Sequence, residues 1–269
     1  MKSVKKYVQS FKMGIQEVIE YRYDFLLGLF SVIFPIIIQY YLWTAVFNNS
    51  DSKIIYGYTY YQMIIYTLLA GLISKLISCG FEYDVYKDIK TGNMSKFIIQ
   101  PIDYFRYRVC CFLGGKIIQA GFMMIIISGM LMFVINVYGL NLTMERILFF
   151  ILSAVLATIL NMLIAFSVST IAFWFIEISY LFSLISMVMN LVSGGILPLE
   201  VFGTTLNKIF MLLPFRYTVY YPINIINGKL EFEEIVQGLV IQCLWILLMY
   251  IISKASWRRG MCKYIAVGG

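Results

Sequence analysis

Six long stretches without a charged residue constrain the fold of this chain more than any other feature. They run from Phe25 to Ser50, Ile54 to Ser74, Ile117 to Met144, Ile147 to Ile176, Ile178 to Leu199 and Ile235 to Ser253. A bilayer core about 30 Å thick is crossed by roughly 20 apolar residues in a helix, so each stretch is a candidate span. The sequence therefore predicts an all-α polytopic membrane protein with six transmembrane helices.

Composition argues against a soluble protein. Hydrophobic residues make up 61% of the 269 residues and charged residues only 13%, whereas soluble domains carry about 25% charged residues. The net charge of +7 comes from Lys and Arg near the predicted membrane edges. There they set orientation and meet anionic lipid, which excludes nucleic acid as the expected partner.

The distribution of Lys and Arg predicts the topology. These residues are concentrated before the first stretch, between the second and third, and after the last, while the other loops are poorer in them. By the positive-inside rule, both termini and the second loop lie in the cytoplasm. An even number of spans agrees independently with this placement.

The first 24 residues are amphipathic at helical period. Val4, Val8 and Phe11 belong to one face and Lys5, Lys12 to the other, as in helices that lie in the headgroup plane. Two interpretations stay open: a passive anchor, or a mechanical element that contacts a cytoplasmic partner.

The second loop, residues 80–116, is the longest predicted cytoplasmic stretch. Phe81–Lys90 reads as a polar helix, Thr91–Asn93 as a turn, and Met94–Gln100 as one or two helical turns that stop at Pro101. Such a short helix with an apolar tip suits docking to a soluble protein. A simple connector would show the same pattern.

Residues 193–234 are too apolar for a solvated loop. Each apolar segment within them is too short, or too interrupted by proline, to cross the membrane as a helix. Irregular backbone at membrane depth occurs only where protein or a cavity surrounds it. We therefore predict a re-entrant or interfacial helix pair on the outer face, over residues 196–234.

The sequence offers little catalytic chemistry. It contains no histidine, which removes the commonest general base and most zinc sites, and its five cysteines have no metal-site spacing. Gly114-Gly115-Lys116 resembles the end of a P-loop, but Ile117 stands where Ser or Thr is needed. We expect no catalytic residue, no metal site and no cofactor bound by this chain.

Charged residues near the predicted span ends have two interpretations. Glu177 marks a tight hairpin between the fourth and fifth stretches, or forms a salt bridge to a partner or a cytoplasmic gate. Lys75 and Lys116 are expected to extend towards the headgroups.

Three motifs resemble those of ABC-2 type permeases, in particular the single-domain six-span bacterial subgroup. Asp88–Asn93 followed by Phe97–Ile102 is similar to the second-loop motif of that group, although Gln100 replaces its usual Arg. The outer segment is similar over Ser193–Leu199, Leu213–Tyr217 and Tyr221–Pro222. The C-terminal similarity lies in Trp257–Gly260, Tyr264, Val267, Gly268 and Gly269.

The resemblance implies the ABC-2 exporter (type V) fold in the bacterial plasma membrane. Residues 1–24 would be a connecting helix and residues 25–269 the transmembrane domain. Coupling to the ATPase would involve Asp88, Lys90, Gly92, Phe97, Ile98 and Pro101. The gate or outer re-entrant segment would involve Gly194, Gly195, Pro198, Pro214, Arg216 and Pro222, and Glu177 would be a possible contact at the cytoplasmic hairpin.

The partners would be two copies of a separate ABC ATPase, which binds ATP and Mg²⁺, and a second permease, identical or different. The aromatic fraction of 17% favours a hydrophobic or amphipathic cargo such as a peptide, a lipid-like molecule or a drug. The resemblance implies that this cargo moves out of the cytoplasm. A secondary carrier is the main alternative. An intramembrane enzyme is disfavoured because the spans offer neither histidine nor a carboxylate pair.

Overall fold

The computed structural model describes residues 2–100, 102–138, 143–175 and 177–264. The helices are α1 (Lys2–Glu20), α2 (Arg22–Asn48), α3 (Tyr60–Ile77), α4 (Phe81–Lys90), α5 (Met94–Ile99), α6 (Tyr104–Tyr138), α7 (Met144–Ser169), α8 (Ser179–Val192), α9 (Gly203–Met211), α10 (Tyr220–Ile226) and α11 (Phe232–Met261). Strands β1 (Ile54–Ile55) and β2 (Tyr58–Thr59) form a short antiparallel hairpin. Three 3-10 turns cover Thr170–Phe173, Leu199–Phe202 and Pro214–Tyr217.

Five helical segments of the described chain are long and apolar enough to cross a membrane. They are Arg22–Asn48, Tyr60–Lys90, Tyr104–Met132, Met144–Phe173 and Phe232–Met261. This confirms the predicted all-α polytopic membrane protein.

The predicted fifth span is shorter than the sequence indicated. Within Ile178–Leu199 only α8 is helical, with 14 residues, or about 21 Å at 1.5 Å per residue. The helix stops because Gly194 turns the backbone to φ +83°, a conformation that side chains with a Cβ rarely adopt. The absence of charge over a stretch indicates that it is hydrophobic but does not indicate how long its helix is. The sequence therefore overestimated the length of this helix.

The helices run between two ends, each held by contacts between distant parts of the chain. At the terminal end, which we define by α1, α4, α5 and the end of α11, Lys90 meets Glu177 and Ser95 meets Tyr264. At the opposite, cap end, defined by the β1–β2 hairpin, α9 and α10, Tyr58 Oη donates to Asn224 Oδ1. These two sets of contacts therefore lie at opposite ends of the helices.

The centre of the fold is formed by α3, α7 and α10. All residues of α10 are buried, and the fully buried side chains of α3 and α7 include Met63, Leu69, Ile73 and Phe150. In contrast, Trp43 is the single buried residue of α2. The apolar surface of α2 is therefore left for lipid or another protein chain.

The amphipathic N-terminal helix lies along the beginning of α6 with close backbone contact. A Cβ built on Gly114 would overlap the carbonyl oxygen of Phe11, and one built on Gly14 would overlap the carbonyl oxygen of Cys111. Tyr7 Oη also accepts from the Asp103 N–H at 3.4 Å. The predicted amphipathic N-terminal helix is confirmed as α1, which covers Lys2–Glu20 of the predicted residues 1–24, and it is tied to a spanning helix.

Replacing Gly114 with Val should force α1 away from α6. The added atoms meet backbone, which cannot rotate aside, and overpacking of this kind costs about 1–3 kcal/mol. We expect faster trypsin cleavage after Lys5, Lys6 and Lys12 in membranes that expose the terminal end.

The control is Gly121→Val, about two turns further along α6, where no heavy atom lies within 4 Å of the added Cβ. It makes the same change in side chain and helix propensity without the clash. Equal cleavage rates in the two variants would contradict the close approach of α1.

Candidate functional site

A helix break lies just after the second predicted span, at the terminal end. α3 ends at Ile77 and α4 begins at Phe81, and a helix end leaves its last carbonyls without partners. Asn161 Nδ2 of α7 donates to the Ile77 carbonyl at 2.7 Å, and Lys116 Nζ of α6 donates to the Ser78 carbonyl at 2.6 Å. Side chains of two neighbouring helices thus complete the hydrogen bonding of the break.

Lys116 corrects one of the sequence expectations. We expected its ammonium group to extend towards the headgroups, but the residue is only 6% exposed and its ammonium group binds the broken helix. Lys75, on α3, is half-buried. Both lysines border a charge-free stretch, Lys75 after one and Lys116 before one, so the sequence predicted the same role for both.

A cleft of about 570 Å³ lies between the α3–α4 break, α7, α8 and the 3-10 turn Pro214–Tyr217. Its polar lining comes from segments far apart in sequence and includes Ser74, Asn161, Ser183, Ser186, Asn190 and Thr218. Each helix contributes only one to three such residues, so the sequence did not indicate a polar cavity.

Hydrogen bonds join α8 to the α3–α4 segment near both ends of the cleft. Ser74 Oγ donates to Asn190 Oδ1 at 3.2 Å towards the cap end. The hydroxyls of Tyr83 and Ser183 lie 3.0 Å apart at the terminal end, where the Tyr83 ring also packs edge-on against Phe182. Opening the cleft further would require breaking these contacts.

A polar and aromatic network attaches α4 to the beginning of α6. Arg108 pairs with Asp88 and, at 3.3 Å, with Asp84. Tyr104 Oη donates to Asp88 at 2.8 Å and accepts from Arg108 Nε at 2.9 Å. The Tyr104 ring stacks on Trp257 of α11 at 5.0 Å. Asp88, predicted as a coupling residue, is thus held within this network.

The short helix predicted after the Thr91–Asn93 turn is present as α5, and its role in coupling stays a prediction. Gly92 has φ +73° in the turn between α4 and α5, as its place in the sequence predicted. Phe97 packs inward, with its ring 4.8 Å from Tyr104 and 5.0 Å from Tyr107, while Ile99 is 85% exposed. The Ile98 side chain and Pro101 lie outside the described residues.

Glu177 contacts Lys90 across 3.5 Å, with side chains that are 82% and 45% exposed. Exposed pairs of this kind contribute little stability because water and salt screen them. The contact joins α4 to the connection between α7 and α8. The two predicted site residues are therefore neighbours, with a contact that forms and breaks readily.

At the cap end, the predicted outer segment folds into short helical pieces rather than a loop. The backbone at Gly194 packs against α3, where Tyr66 Oη donates to its carbonyl at 2.7 Å. Gly195 N–H donates to the Asn190 carbonyl at 2.9 Å. Pro198, Pro214 and Pro222 are buried at or near the beginnings of helical pieces, where a missing N–H leaves no hydrogen bond unmade. Insertion of this segment into the bilayer stays a prediction.

Glu200 is the centre of a charged and aromatic cluster that sequence analysis missed. Its carboxylate accepts from Lys229 Nζ and from Tyr220 Oη at 2.5 Å, and Lys229 Nζ lies 3.5 Å from the centre of the Tyr58 ring. The Arg216 guanidinium lies 4.7 Å from the Tyr220 ring centre. This cluster joins the β1–β2 hairpin to α10, which closes the cap end.

Burial governs the ionisation of this cluster of Glu200, Lys229, Tyr58, Tyr220 and Arg216, which we call the cap cluster. Desolvation raises the pKa of Tyr58 and of Tyr220, with nearby negative groups adding to the rise, so both phenols stay protonated and donate. Desolvation also lowers the pKa of Lys229, although the hydrogen bond to Glu200 opposes this shift.

The described residues contain no group of three or more His, Cys, Asp or Glu side chains that could hold a metal ion.

The residues that sequence analysis missed, Arg108, Lys116 and Glu200, are charged groups beside apolar runs. Such positions suit headgroup contacts equally well, and only tertiary contacts distinguish the two roles.

Replacing Asn161 with Leu should destabilise the fold. Leu has a similar size but leaves the buried carbonyl of Ile77 without its donor, at a cost of about 1–3 kcal/mol. We expect a lower thermal unfolding midpoint for the purified protein in mild detergent, followed by size-exclusion chromatography after heating.

The control is Asn49→Leu. The Asn49 amide also donates to a carbonyl, that of Ala45, but at the exposed end of α2. Its loss should leave the midpoint nearly unchanged because water replaces the bond. If both variants unfold at the wild-type temperature, Asn161 does not cap the helix break.

Comparison with known proteins agrees with this architecture. Among curated proteins, none matches the chain. A family model described as ABC-2 family transporter protein matches residues 32–268, which takes in every helix from most of α2 to α11. On this match, the chain belongs to the ABC-2 transporter family.

Proposed function

We propose that this chain is the permease subunit of an ATP-driven exporter and that a separate ABC ATPase binds its terminal end. Support comes from the family match over residues 32–268 and from α5, which presents an apolar residue away from the membrane helices. The cargo would be hydrophobic or amphipathic and would leave the cytoplasm through a pathway built with a second permease.

α5 carries this proposal because it has one anchored and one free apolar side chain. Phe97 is fixed against Tyr104 and Tyr107, whereas Ile99 is 85% exposed. An exposed isoleucine next to Lys96 and Gln100, both also exposed, is suited to a small contact with a soluble protein. Phe97 thus holds α5 in place, and Ile99 is the better candidate for contact with the ATPase.

A chain of aromatic contacts links α5 to the spanning helices. Phe97 packs on Tyr104, Tyr104 stacks on Trp257, and the Trp257 ring lies 5.2 Å from Phe166 of α7. Movement of α5 would reach α6, α7 and α11 through rigid rings and not through a flexible loop. This is the physical basis for coupling closure of the ATPase to movement of the helices, as a rigid-body change.

The proposal places both termini and α5 in the cytoplasm of a bacterial cell, in the plasma membrane, and the cap cluster on the outer face. The Lys and Arg distribution supports this orientation. The unburied apolar surface of α2 supplies area for a second permease, identical or different.

Purification in mild detergent with the products of neighbouring genes should recover an ATPase subunit at a ratio of two ATPases to two permeases. Reconstituted vesicles should then move an amphipathic probe only when ATP is supplied. The imposed ion gradient is removed as a control, because a secondary carrier stops under that condition and an ATP-driven exporter continues. Transport without any ATPase would overturn the proposal.

Replacing Ile99 with Asp should weaken binding of the ATPase by at least tenfold. A charge placed in an apolar contact loses hydration without gaining a partner, and tenfold corresponds to about 1.4 kcal/mol. Binding would be measured by titrating the purified ATPase onto the permease in detergent.

The control is Ile54→Asp, an exposed isoleucine of the β1–β2 hairpin at the opposite end of the molecule. It should bind the ATPase like the wild type. If Ile99→Asp binds equally well, α5 is not the contact.

A further inference from the structure

A buried carboxylate oxygen without a partner lies in the cleft between the α3–α4 break and α8. Glu82, in the first turn of α4, lines this cleft. Its Oε2 is buried and accepts no hydrogen bond within the described structure. A buried charged oxygen is costly unless something supplies a hydrogen or a positive charge.

The cations near the helix break, Lys75, Lys116 and Arg108, line a different cavity from the cleft. Lys116 donates to the Ser78 carbonyl, and Arg108 pairs with Asp84 and Asp88. This separate cavity lies between α1, α2, α4 and α6 and shares Ser78 and Cys79 with the cleft. Of the described residues that line the cleft, Glu82 alone carries a charge.

The remaining surface of the cleft is mixed. Phe182, Met189 and Phe215 supply apolar and polarisable surface, while Asn161, Ser186 and Asn190 supply hydrogen-bonding groups. The volume of about 570 Å³ falls in the range of small-molecule sites, roughly 300–1,000 Å³. One carboxylate in such a surface is suited to an organic cation with an apolar body.

We propose that this cleft binds the transported molecule and that Glu82 binds a positively charged group on an otherwise apolar cargo of drug size. The assignment of the cargo rests on the proposed function as a permease. Glu82 lies at the terminal end of the cleft, so in the proposed orientation a cation arriving from the cytoplasm meets the carboxylate first. Ser193 and Thr218 line the cleft towards the cap end.

The test measures binding of radiolabelled tetraphenylphosphonium to the full chain in phosphatidylcholine nanodiscs, without ATPase or ATP. The wild type should bind the cation, and neutral triphenylphosphine oxide should compete poorly. Glu82→Gln keeps the size and polarity of the side chain but removes the charge. We expect at least a tenfold loss of affinity.

The matched control is Asp84→Asn, which removes a carboxylate from the same helix turn. Asp84 faces Arg108 and the separate cavity, so its loss should change affinity less than threefold. Glu82→Gln binding like the wild type overturns the proposal, as does an equal loss in Asp84→Asn. Equally tight binding of the neutral probe overturns the role of charge.

A second pair of variants places the probe in the cleft independently of Glu82. Ser186→Trp, on the face of α8 that lines the cleft, should fill the space and lower affinity at least tenfold. Leu184→Trp adds the same ring at an exposed position outside the lining and should bind normally. Normal binding by Ser186→Trp overturns the assignment of the cleft.

These outcomes are separate from those that test the permease itself. Unchanged cation binding in Glu82→Gln, with ATP-driven export intact, overturns only the role of Glu82. Cation binding by a chain that exports nothing in the presence of its ATPase overturns the proposed function.

Discussion

The need to satisfy backbone carbonyls where a helix breaks shapes this protein between α3 and α4. A buried carbonyl without a donor costs about 1–3 kcal/mol, so a break in a helix needs donors from elsewhere. Asn161 and Lys116 supply them to Ile77 and Ser78. Because these donors belong to α7 and α6, the break fixes three helices relative to one another.

The position of the break also separates two sets of contacts. On one side, Arg108 ties α4 to α6 through Asp84 and Asp88. On the other side lies the cleft, with Glu82 at the beginning of α4. A single short helix, α4, therefore contacts α6 on one side and lines the cleft on the other.

The cap end is held by a different kind of interaction. Glu200, Lys229, Tyr58 and Tyr220 form a partly desolvated cluster in which every described charge has a partner. Removing one member would leave the other charges uncompensated, which costs more than the pair contributes when complete. The terminal end, in contrast, includes the exposed Lys90–Glu177 contact. The charged contacts of the cap are therefore more enclosed than the Lys90–Glu177 contact.

Hydrophobicity and local backbone chemistry determined what the sequence could reveal. The charge-free stretches predicted the spanning helices because an apolar stretch of this length is typical of a helix that crosses a membrane. Gly92 predicted the turn before α5, since its φ of +73° favours glycine. Features that depend on contacts across the fold were hidden: the short length of α8, the burial of Lys116, the inward packing of Phe97 and the pairing of Glu200. Each of these features depends on contacts between side chains of helices that are far apart in the sequence. Such contacts cannot be inferred from the order of residues along the chain.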